Sequence, residues 1–86
     1  MDREAELLAL KKQSIILQTD IQIDPKIDKL LQYKVVIERM IELFNERIAN
    51  TKMSPKLVKL TQETIKCKQV SLETVNILLN VKYTIN

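Results

Sequence analysis

The chain contains no glycine. At an average usage of about 7%, about six would be expected in a chain of 86 residues. Glycine supplies the positive φ angles of tight turns, primed hairpins and left-handed helix caps. A β-rich fold of this length would be hard to turn without it. A few long helices joined by short extended links need no such residue, so the missing glycine predicts an all-α chain.

The two prolines divide the chain. Pro25 lies in "DPKID" and Pro55 in "SPKLV". Aspartate or serine before proline reads as a helix start, because the short side chain caps a free N–H and proline fits the first helical position without loss. Asp24 and Ser54 are thus expected as N-caps, with Pro25 and Pro55 as first helical residues. The expected helices cover about 3–19, 25–49 and 55–81, with Asp2 capping the first. "TDIQI" at 19–23 alternates apolar and polar residues and reads as an extended link. The fold expected is an antiparallel three-helix bundle with long helices. Ser71 can cap a separate fourth helix, which leaves the third segment as one helix or two.

Apolar spacing assigns the faces. In the first helix, Leu7, Leu8, Leu10, Ile15, Leu17 and Ile21 are the expected core face. The second carries two seams. Ile27, Leu30, Ile37, Ile41, Phe44 and Ile48 form one, and Tyr33, Val36, Met40 and Leu43 the other. Together they cover roughly half the helix surface at 100° per residue, too much for one neighbour. The second helix is therefore expected at the centre, with Asn50 at its C-cap and Leu31 and Val35 on its far side. In the third, Val58, Ile65, Leu72 and Leu79 recur every seven residues, and Cys67 falls at the edge of that face. Val70, Leu72, Val75, Ile77, Leu78, Leu79 and Val81 make its second half apolar nearly all round. Such a helix is either enclosed by its own fold or docked on another chain.

Charge is uneven. The net charge is +3, yet the stretch before Asn50 holds 8 basic and 9 acidic residues and the remainder 6 and 2. Lys52, Lys56, Lys59 and Lys66 form a stripe interrupted by Glu63. It can meet a phosphate backbone, an anionic membrane surface or an acidic protein. The plainer reading is a solvated face on which Glu63 pairs with Lys59 and Lys66. No arginine or aromatic residue interleaves the lysines, which argues against base stacking.

Catalytic constellations are missing. The chain has no histidine, no glycine-rich phosphate loop and a single cysteine without a partner base. No enzyme activity, metal, cofactor or small-molecule substrate is expected. A lone cysteine, an acidic N-terminus and the lack of a long apolar run point to an intracellular protein of cytoplasm or nucleus. The function expected is a subunit, adaptor or small regulator that binds a protein partner, self or heterologous, by helix packing. Leu31, Val35, Val70, Ile77 and Val81 are its candidate contact residues. The alternative is a basic helical nucleic-acid-binding protein acting through Lys52, Lys56, Lys59 and Lys66.

Overall fold

The computed structural model describes residues 2–85. Three helices fill it: α1 (Arg3–Ile23), α2 (Ile27–Asn50) and α3 (Pro55–Ile85). They form an antiparallel three-helix bundle. No residue among those described has a positive φ. The cap residues at the links, Asp24, Lys26 and Thr51, are all extended, a conformation open to any side chain, so glycine has no task in this backbone.

Two of the three expected N-caps stand. The Asp2 carboxylate accepts the Glu4 N–H at 3.1 Å, and the Ser54 hydroxyl accepts the Leu57 N–H at 3.3 Å. Asp24 does not start α2. It closes α1, donating its backbone N–H to the Asp20 carbonyl at 2.8 Å. The helix does not stop at Thr19: "TDIQI" is helical to Ile23. Ile21 packs one heptad after Ser14 on the core face, and Pro25 disfavours helix only in the residue before it. With α1 running so far, Asp24, Pro25 and Lys26 are all needed to reverse the chain. Lys26 takes the N-cap of α2 without a side-chain bond. Asn50 is the last residue of α2, and Thr51 is the C-cap.

α3 is one unbroken helix of 31 residues. The Ser71 hydroxyl donates back to the Cys67 carbonyl at 3.2 Å instead of capping a new helix. The helix also continues past the expected end at residue 81 through Ile85. At 1.5 Å per residue it measures about 47 Å, which is the 47 Å long axis of the molecule.

α2 is the centre. All four residues of its second seam are buried, with Leu30, Ile37 and Phe44 of the first. Ile27, Ile41 and Ile48 are partly buried at the seam's edges. The α1 core face is Leu7, Leu10, Ser14, Leu17 and Ile21, an unbroken three-four spacing. Leu8 and Ile15, expected in the core, are 55% and 64% exposed. Their place is taken by Ser14, whose hydroxyl donates to the Lys11 carbonyl at 2.8 Å. That bond removes most of the cost of burying a polar group. α3 buries Thr61, Ile65, Val75 and Leu79 against α2, and Thr61 likewise donates to the Leu57 carbonyl at 2.8 Å.

Ion pairs tie α1 to α2 and to nothing else. Asp20 meets Lys29, Glu6 meets Arg39, and Arg3 and Glu4 meet Glu46 and Arg47. Among the described residues none reaches α3. The fullest pair is a fork: Arg39 donates from Nε and Nη2 to the two Glu6 carboxylate oxygens at 2.7 and 3.1 Å. These hydrogen bonds hold the Glu6 carboxyl below its ordinary value of 4.5 and raise Arg39.

A carboxyl whose folded pKa is depressed stabilises the fold above its unfolded pKa. It loses that contribution as pH falls through the folded value. Replacing Glu6 with glutamine should therefore lower Tm at neutral pH and leave a gap from wild type that closes progressively below pH 4.5. Thermal melts across that range check it. A gap of constant size would show that the fork's charge contributes nothing.

Candidate functional site

α1 and α3 flank α2 without meeting. Among the described residues no Cα of one lies within 8 Å of a Cα of the other. Packed helices run with axes 8–10 Å apart and interdigitated side chains, so these two are not packed. A groove remains between them, floored by the buried Tyr33, Met40 and Phe44 of α2. It holds two depressions. One, of about 410 Å³, lies between Lys11 and Ile15 of α1 and Leu57, Leu60 and Thr64 of α3. The other, of about 210 Å³, lies between Gln18 and Gln22 of α1 and Ser71, Thr74 and Leu78 of α3.

The heptad register explains why apolar side chains such as Ile15, Leu57 and Leu60 line the walls. On α3 the residues at 57, 64, 71 and 78 directly precede the core positions 58, 65, 72 and 79, giving the doublets Leu57–Val58, Thr64–Ile65, Ser71–Leu72 and Leu78–Leu79. On α1 the doublets are Leu7–Leu8 and Ser14–Ile15. One apolar seam serves one neighbour, and a doublet serves two. α2 has two neighbours. α1 and α3 carry doublets and have one each.

The polar groups of the α3 wall are turned inward on their own helix. The hydroxyls of Thr64, Ser71 and Thr74 donate to the carbonyls of Leu60, Cys67 and Val70 at 3.0–3.2 Å. The threonines therefore present methyl groups, and the wall has no unused hydroxyl proton. Among the described residues no cluster of histidine, cysteine, aspartate or glutamate could hold a metal ion. No buried side-chain nitrogen or oxygen among the described residues lacks a partner. The groove offers shape and charge for binding.

The residues singled out from the sequence fall in three places. Val70 and Ile77, each 61% exposed, and Val81 at 47% lie on the outer side of α3, and Val70 borders the smaller depression. Leu31 and Val35 are also exposed, but they open on the other side of the molecule, in a cleft with Leu10 and Gln13 of α1. The structure does not join the two sets into one surface. Lys52, Lys56, Lys59 and Lys66 are all exposed. Lys59 and Lys66 share a shallow depression with Glu63, yet no ion pair forms there, contrary to the expected pairing. Cys67, whose place at the edge of the apolar face predicts a buried or half-buried thiol, is exposed, because the α3 core face runs through 58, 61, 65, 68 and 72 and leaves 67 outside it.

Lys11, Leu57, Leu60 and Lys68 line the groove and were not among the expected contact residues, and Ile15, expected in the core, lines it too. The doublets were the available signal, since they count the neighbours a helix is built for.

An exposed thiol should react freely. Cys67 in the folded protein should couple to a maleimide within about tenfold of its rate in denaturant, measured by mass spectrometry over time. Protection by several orders of magnitude would mean that this side of α3 is covered.

No helix among the described residues is long and apolar enough to cross a membrane. No protein-family model matches the chain, and no curated protein or solved structure does.

Proposed function

We propose that this chain is a non-catalytic helical interaction module, a subunit, adaptor or small regulator that binds a partner protein by helix packing. The observation that carries this reading is the mismatch between faces and neighbours. α1 and α3 each expose an apolar stripe beside a filled one, and they stand too far apart to cover each other. Ile15, Leu57, Leu60, Val70, Ile77 and Val81 are all 47–64% exposed, and the first three line one depression; exposed apolar residues gathered in this way mark interaction sites. The matching setting is intracellular, where an exposed lone thiol stays reduced.

Paired substitutions test it. Phe44→Ala empties a buried site and should cost about 3–5 kcal/mol of stability. Ile77→Glu changes an exposed site and should leave unfolding within about 0.5 kcal/mol of wild type. It should nevertheless abolish association with self or partner, because it puts an unpaired charge into a dry interface. Thermal unfolding and light scattering, with the stoichiometry of any co-purified chain, give both readouts. If Ile77→Glu unfolds the chain as fully as Phe44→Ala, or leaves association intact, the outer line of α3 is no partner surface.

One observation favours a second reading, binding of nucleic acid. Lys52, Lys56, Lys59 and Lys66 are exposed and form no ion pair among the described residues. Binding through them would fall with salt at a slope near −0.9 for each duplex phosphate neutralised. The expected result, given the missing arginine and aromatic contacts, is no duplex binding tighter than about micromolar at physiological salt. Tighter, salt-dependent binding that disappears in the Lys56→Gln, Lys59→Gln, Lys66→Gln triple variant would make this the leading reading.

A further inference from the structure

The groove has a length, a wall chemistry and a charge, and these select an occupant. From Leu57 to Leu78 it follows about 30 Å of α3 at 1.5 Å per residue. Its floor and walls are helices whose backbone groups are already paired. An extended peptide gains affinity from main-chain hydrogen bonds to a free strand edge, and none is offered here. A helix brings its own backbone satisfied and lays an apolar stripe into such a trough.

Charge narrows the class. Lys11, Arg47 and Lys68 line the larger depression, and no carboxylate lines either one. Arg47 is engaged by Glu4, whereas Lys11 and Lys68 have no carboxylate within 4.0 Å among the described residues. Lys68 is itself partly buried on the core-facing register of α3. The polar side chains of the smaller depression are neutral. A second copy presenting the same groove would bring cations against cations, a juxtaposition that costs affinity.

Resting on the helix-packing reading, we infer that the α1–α3 groove receives an acidic amphipathic helix of another protein. Its apolar stripe lies over Met40 and Phe44, and its carboxylates meet Lys11 and Lys68. Bound in this way it completes a four-helix bundle.

The test uses the whole chain and labelled synthetic peptides of about 20 residues, long enough to cover about 30 Å. One carries leucine at heptad positions a and d, with glutamate beside them in one half. Its twin carries lysine in place of glutamate. By fluorescence anisotropy the acidic peptide should bind, and the basic twin should bind about tenfold more weakly or worse, the scale of a few partly exposed ion pairs. Lys11→Gln with Lys68→Gln should erase the preference, and Lys11→Glu with Lys68→Glu should reverse it so that the basic twin binds better. Circular dichroism of each variant confirms the fold.

Equal binding of the twins, or binding of neither, overturns the inference. So does tight binding of phosphatidylserine vesicles or duplex DNA through Lys11 and Lys68 when the acidic peptide fails. A dimer that the peptide cannot displace, and that Leu60→Glu dissociates, assigns the groove to a second copy and also overturns it. If the peptides fail but Ile77→Glu still dissolves an assembly, helix packing stands and only the acidic occupant falls. If both fail, the helix-packing reading falls too.

Discussion

The breadth of the apolar face on α2 determines the rest of the structure. Leu30, Ile37 and Phe44 on one seam and Tyr33, Val36, Met40 and Leu43 on the other must all leave water. At about 25 cal/mol per Å² of apolar surface, stranding either seam would cost several kcal/mol, a large share of the stability of a domain this small. A single helix cannot cover both seams, so α1 and α3 each take one side. Having done so, they are held apart by the width of the helix they cover. The groove between them follows from the width of the face on α2.

The two flanking helices are held by different forces. α1 packs Leu7, Leu10, Leu17 and Ile21 and also forms ion pairs along its edge with α2. α3 packs Ile65, Leu72, Val75 and Leu79 and has no ion pair to another helix among the described residues. The acidic residues concentrate before Asn50, where they meet Arg3, Lys29, Arg39 and Arg47. The excess lysines after Asn50 have few acids within their own segment. The charge asymmetry of the sequence thus becomes a spatial one: a neutralised α1–α2 edge and a cationic α3.

The sequence made the helices and the central place of α2 legible, because periodicity and breadth of an apolar face are local properties. Ser54 and Asp2 were legible as caps for the same reason. Asp24 was not, since whether it closes one helix or opens the next depends on how far α1 runs, and that is decided by Ile21 packing on α2. Ser14 and Thr61 were missed as core residues because a hydroxyl reads as polar until its bond to the preceding turn is seen. Leu8 and Ile15 read as core because they are apolar, but with Leu7, Leu10, Leu17 and Ile21 already in place they fall outside the contact. The groove depends on a distance between two helices remote in sequence, and only the doublets at 57–58, 64–65, 71–72 and 78–79 encode it.

An open groove also has consequences for α3 itself. With α2 as its only helical neighbour among the described residues, α3 loses one packed face when it opens, whereas α2 cannot move without losing two. Local opening is cheapest where few buried contacts must break, so the flanking helices, α3 among them, open before α2. A fourth helix lying on Met40 and Phe44 would touch both walls and give α3 a second packed face. Any ligand that binds only the closed arrangement stabilises it by RT ln(1 + [L]/Kd). Association through the groove would then stiffen the helix that carries Val70, Ile77, Val81 and Lys56, Lys59 and Lys66 of the stripe, linking occupancy of one face of α3 to the order of its other faces.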